Sequence, residues 1–153
     1  MQTSRVPAAL DALLALLRAA EGLLKVRVLD GPPTTNLAGD WLALGWQPGG
    51  DNAVSISQEF AGAGARQRDE AFDIHGYAES RGGGTDLAAR RRRVFEIVGE
   101  VETVLRASGE RPEAPTISGT VLWSQLTAGG LVQDQADGAL AGLAFTISCR
   151  ARI

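Results

Sequence analysis

The chain has 153 residues, of which 44% are hydrophobic and 22% charged, and carries a formal net charge of −3. That length and balance suit one domain with a real core. They exclude a disordered chain and a sequence-independent binder of free nucleic acid, which needs a positive excess to displace phosphate counterions. Cys149 is the only cysteine, so no intrachain disulfide or Cys-rich zinc site can form, and a reduced compartment is expected. Residues 6–20 are apolar but interrupted by Asp11 and Arg18, too short for a membrane span and too charged for the core of a secretory signal.

The elements follow in order. Leu10, Leu13, Leu14 and Leu17 recur at helical spacing, with Pro7 in the first turn and Gly22 at the end. Lys25-Val26-Arg27-Val28 alternates as a strand, stopped by Asp30-Gly31-Pro32-Pro33. Residues 41–46 and Val54–Phe60 are expected strands separated by the turn Gly49-Gly50-Asp51-Asn52. Residues 70–79 alternate again, with Phe72, Ile74, Gly76 and Ala78 on one face and Asp73, His75, Tyr77 and Glu79 on the other. This strand should pair with Val54–Phe60 through the loop 61–67, whose Gly and Ala residues cannot pack on themselves.

Gly82-Gly83-Gly84 breaks the strand, and Thr85 or Asp86 can cap a helix whose apolar face is Leu87, Val94, Val98, Val101 and Leu105. Gly109, Pro112 and Pro115 end that helix; two long strands are expected after it, over residues 117–126 and 139–153. In the last, Ala139, Ala141, Leu143, Phe145, Ile147, Cys149 and Ala151 face one way, while the other face is small and polar and ends in Arg150 and Arg152. The fold class is therefore α+β: a mostly antiparallel sheet flanked by an N-terminal helix and one long central helix, in a single domain spanning residues 1–153.

Chemistry is sparse. His75 shares a face with Asp73 and Tyr77, but no nucleophile lies at a telling spacing, and one His and one Cys far apart make no metal site. The glycine runs at 62–64 and 82–84 lack the residues that turn such loops into phosphate cradles. No catalytic residue, cofactor or metal is expected. Arg90-Arg91-Arg92-Arg93 points around the whole helix circumference, next to the positive end of the helix dipole. Acidic partners from elsewhere, another chain included, would relieve it.

The order of these features resembles the tail terminator (tail completion, minor tail) proteins of long-tailed bacteriophages, in the actinobacterial form. The matching residues are the Leu-rich helix, Asp30-Gly31-Pro32-Pro33, Leu44-Gly45-Trp46, Arg68-Asp69-Glu70-Ala71-Phe72-Asp73-Ile74, Arg90 leading into residues 95–105, Leu122-Trp123, Gln133-Asp134-Gln135, and Gly138 leading into a strand that ends Ala151-Arg152. The resemblance implies a structural virion protein of the tail neck, made in the bacterial cytoplasm. Such a protein caps the tail tube as a ring, typically a hexamer, and stops tube polymerisation. Its implied partners are further copies of itself, the tail tube protein and the head–tail connector or stopper, with DNA passing through the lumen unbound. A stopper or head completion protein is the alternative within that class, and a small-ligand-binding domain the alternative outside it. For a ring, the expected interface residues are Arg66, Arg68, Asp69 and Glu70 where the 61–69 loop meets its strand, Arg90, Arg92 and Arg93 on the helix, and Arg150 and Arg152 on the last strand.

Overall fold

The computed structural model describes residues 2–153. Two helices, α1 (Val6–Ala19) and α2 (Leu87–Leu105), cover one face of a six-stranded sheet made of β1 (Arg27–Asp30), β2 (Gly39–Leu44), β3 (Val54–Phe60), β4 (Arg68–Arg81), β5 (Trp123–Asp134) and β6 (Leu140–Arg152). The strand order is β1-β2-β4-β6-β5, with β3 also paired to β4. Every pairing is antiparallel except β1 with β2. The fold class read from the sequence is the one observed.

The 14-residue β4 organises the sheet. One of its edges is fully taken by β6, from Asp69↔Arg152 to Arg81↔Leu140. Its other edge is shared end to end: β3 occupies residues 68–74 and β2 residues 76–81. The segment 45–53 is thus an excursion between two halves of one line of pairing. Gly45 and Trp46 both donate to the His75 carbonyl, at 2.7 and 3.2 Å, and pin the break.

Alternation decides which side chains meet the helices. Phe72, Ile74 and Ala78 of β4 and Leu143, Phe145, Ile147 and Cys149 of β6 are buried on the helix side, against Leu13 and Leu17 of α1 and Val94, Ile97, Val98 and Val101 of α2. Phe145 is fully buried, and its ring lies over Gly76 on the neighbouring strand, where any Cβ would overlap it. Helix α2 starts where Asp86 Oδ1 accepts the Ala89 N–H at 3.0 Å, one of the two caps expected.

On the opposite face, Trp41, Ala43 and Tyr77 form a second, smaller core with Leu29, Leu37 and Trp46. The remainder of that face carries no covering element. Its rows across the sheet read Ser55–Asp73–Ser148–Gln125 and Ser57–Ala71–Arg150–Trp123.

Two strand expectations are corrected. Residues 25 and 26 belong to a turn, and β1 starts at Arg27 because Val26 closes back on the preceding helical turn, its N–H donating to the Leu23 carbonyl. Residues 117–122 are not strand. Ile117 and Ser118 adopt left-handed conformations (φ 47° and 55°), and Ile117 is fully buried as a plug in the main core. The strand starts instead at Trp123 and runs through Gly129-Gly130, where a register shift between Ala128 and Leu131 absorbs one extra residue as a bulge. Among the described residues no helix is long and apolar enough to cross a membrane.

Candidate functional site

The charged residues singled out above fall into two groups at opposite ends of the sheet. At the start of β4, Asp69 and Arg152 are cross-strand partners on the uncovered face, and Arg152 Nε donates to Asp69 Oδ1 at 2.7 Å. This hydrogen bond and the Arg152 charge hold the exposed Asp69 carboxyl below its usual value. Arg150 is exposed one pleat further along the same face. Arg66 is exposed in the loop after β3. Arg68 turns back into its own chain: its guanidinium lies 5.5 Å from the Phe60 ring centroid and donates to the Thr3 carbonyl at 3.1 Å.

Glu70 does not belong with them. It is fully buried, accepting the Arg5 N–H at the start of α1 at 2.8 Å through Oε1 and the Gln58 side-chain amide through Oε2. Carboxylate, helix N-terminus and amide satisfy one another there. Glu70 therefore anchors the N-terminal segment to the sheet and is withdrawn from the interface set.

The second group lies at the far end of β4, roughly 35 Å away by strand rise. Asp40 Oδ1 accepts from Ser80 and Oδ2 from Arg93 Nε, both at 2.7 Å, and Arg90 donates to Ser80 at 3.1 Å. The bond to Asp40 and its charge raise the Arg93 guanidinium further above its already high value. The arginine run thus finds its principal acidic partner inside the chain. Arg93 also reaches Glu96 at 3.3 Å, Arg91 donates to Gln133 at 2.6 Å, and Arg92 is exposed. Asp40 escaped the sequence reading although a signal existed. It alternates with Leu42 and Leu44 on the buried side of β2, and a charge in that position demands a partner.

His75 is half-buried, and its Nε2 lies 2.9 Å from Ser55 Oγ. The sequence reading found no nucleophile for it because Ser55 lies on the neighbouring strand. No third group orients the ring among the described residues, and the pair lies on the flat sheet face without converging backbone donors. Among the described residues no cluster of three His, Cys, Asp or Glu side chains could hold a metal ion. Cavities of about 560 and 370 Å³ are grooves beside α2, the first walled by Glu21, Glu100 and Arg111 and the second by Glu102, Arg106 and Gln125, and a third of about 490 Å³ lies between Phe60 and the 62–65 loop.

The sheet edges complete the geometry. Strand β3 pairs on one side only and exposes Ile56 and Phe60, at 52% and 61%. Strand β5, on the opposite edge, also pairs on one side only and exposes Trp123, Leu131 and Val132. Their directions are fixed by the chain of antiparallel pairings β3–β4–β6–β5, which makes the two open edges run in opposite senses. No known family model and no curated protein matches the chain.

Proposed function

We propose that the protein acts as a ring of identical copies that caps a phage tail tube, as the tail terminator resemblance implies, ending polymerisation and presenting its other rim to the head–tail connector. The observation that carries this reading is the pair of open strand edges. Placed side by side around an axis along the strands, each copy brings β5 next to β3 of its neighbour, and the two meet antiparallel. The contact is heterologous and repeats in one rotational sense, the requirement for a closed ring. Unprotected edges of this length, with apolar side chains on both, are otherwise an aggregation hazard.

The remaining features support the same arrangement. With the helices outward, the uncovered sheet face lines the lumen with Ser55, Ser57, Gln125, Thr127, Thr146 and Ser148. Those six side chains are uncharged, with Asp73 and Arg150 the charged residues in the same rows, and the chain's net charge of −3 disfavours adhesion to DNA. The Asp69–Arg152 and Asp40–Arg93 groups then mark two rims, one toward the tube and one toward the connector.

The test is electron microscopy and native mass measurement of the protein alone at high concentration and after mixing with assembled tail tubes. A closed ring at the tube end is expected. A stable ring needs well over about 1,000 Å² of buried surface per contact, so a monomer in dilute solution is compatible with the proposal. Tubes that lengthen unchecked in the presence of the protein, with no ring at their ends, would refute it.

A further inference from the structure

The backbone and the side chains of the two open edges carry patterns that restrict how they can meet. In β3 the Ala53 carbonyl accepts from the His75 N–H at 3.2 Å, and the Ala61 N–H donates to the Gln67 carbonyl at 3.3 Å. Odd-numbered residues therefore bond to β4, and Val54, Ile56, Gln58 and Phe60 aim their backbone groups outward. The same alternation crosses the sheet. Arg68 and Ile153 exchange backbone bonds at 3.0 Å, which turns the even residues of β6 toward β5 and leaves the backbone groups of Ser124, Leu126 and Ala128 free at the far edge. Both outward sets carry their side chains on the helix side, in line with Phe72 and Ile74 of β4 and Ile147 of β6. Antiparallel contact must then pair even residues with even ones, because a slip of one would misplace the bonds and set an apolar face against a polar one.

We propose that β5 of one copy pairs with β3 of the next in a single register, Leu126 opposite Ile56, so that the sheet continues from subunit to subunit. The proposal rests on the ring reading and specifies its contact. In this register Ala128 meets Val54, Ser124 meets Gln58 and Leu122 meets Phe60. Phe60 and Leu122 are 61% and 57% exposed and Ile56 is 52% exposed, so each of the three gains an apolar neighbour. Leu126 also walls the groove of about 370 Å³ together with Leu105 and Pro115, and Ile56 arrives at its mouth. The seven residues of β3 span 122–128 and end where β5 bulges, so the break in the β5 ladder falls just past the end of the strand it receives. The neighbouring even registers lose this match. Two residues toward the start of β5, Ile56 meets Ser124, Gln58 meets Leu122 and Phe60 passes the end of the strand. Two residues the other way, Gln58 meets Leu126 and Val54 runs into the bulge at Gly130.

The experiment is disulfide trapping between unlike single variants, mixed at high concentration or on tail tubes, oxidised mildly and read on non-reducing gels. Ser57 and Gln125 are exposed on the opposite face and become a directly opposed, non-bonded pair, with Cα atoms about 4.5 Å apart and within reach of a disulfide. Ser57→Cys mixed with Gln125→Cys should give the dominant cross-linked dimer. Ser57→Cys with Trp123→Cys or Thr127→Cys, diagonal pairs about 7–8 Å apart, should give little. Wild type, whose Cys149 is buried, should give none, and melting curves check that each variant folds. If position 123 or 127 traps better than 125, the register is wrong and the contact between the two edges stands. If rings are seen but no pair of unlike variants cross-links, the register is wrong and the ring closes through other surfaces. If Ser57→Cys or Gln125→Cys cross-links only with itself, the edges pair in a two-fold dimer and the ring reading fails together with the register. If wild type neither self-associates at any concentration nor forms a ring on tail tubes, both fail as well.

Discussion

Replacing Gly76 with alanine probes the tightest approach in the main core. The new Cβ would overlap Cε2 and Cζ of Phe145 and stand 3.0 Å from Cδ2, inside the roughly 3.5–4.0 Å at which carbon atoms attract. Phe145 is 0% exposed and its β6 neighbours Leu143 and Ile147 are 1% and 0%, so the ring has no free space to retreat into. Overpacking of this kind costs about 1–3 kcal/mol, while removing a glycine restricts the unfolded chain and returns about 0.4–1 kcal/mol. A net loss of about 1–2 kcal/mol should lower Tm by roughly 2–8 °C for a domain of this size. Differential scanning calorimetry measures it, and Phe145→Leu in the Gly76→Ala background supplies the decisive comparison. Trimming the ring should make the double variant more stable than the sum of the single effects, since the two positions touch. Additive losses, or a Gly76→Ala variant melting at or above wild type, would show that the ring does not lie over Gly76 as described.

Two further outcomes follow from buried groups. Asp40→Ala strands Ser80 and Arg93 at the head of α2 and should cost about 1–2 kcal/mol in urea denaturation, moderated because the ion pair is partly exposed; with Arg93→Met added, the loss should fall short of the sum. Burial, aided by the Asp73 charge, pushes the Cys149 thiol from 9.0 up to about 12, and burial and the Glu79 charge raise the Tyr77 hydroxyl as well. Between pH 9 and 12 the unfolded chain releases protons that the folded chain keeps, so stability should fall as pH rises, by up to about 1.4 kcal/mol per pH unit for each group. Chemical denaturation from pH 8 to 11 follows this, and Cys149→Ala should flatten the slope; an unchanged slope would mean that the thiol is not shielded.

Much of the architecture was legible because alternation and helical period are local signals. Val54–Phe60 is strand over its full expected length, and Leu87–Leu105 begins at the expected cap. The errors came where tertiary packing overrode local pattern. Ile117 looks like a strand residue yet serves as a core plug in a left-handed conformation, and Gly129-Gly130 looks like a break yet is a bulge within β5. The charged residues were legible as charges and not as pairs. Asp40 and Arg93 are separated by 53 positions, and only the packing of α2 across the sheet brings them together. Glu70 was the more readable case, since it shares the alternation of Phe72 and Ile74 and so belongs on the buried face.

The excursion at 45–53 makes the protein unusually open to editing. Because β2 and β3 are each held independently along the same edge of β4, the register of the sheet does not depend on the length of the segment joining them. Doubling that segment would add only about 0.6 kcal/mol of closure entropy. Gly49 and Gly50, both exposed at its turn, are the natural point at which to splice an epitope, a fluorophore-bearing peptide or new chain termini. A tag placed there would ride on the folded protein without disturbing either open edge, giving a handle by which single copies could be counted and located within an assembly.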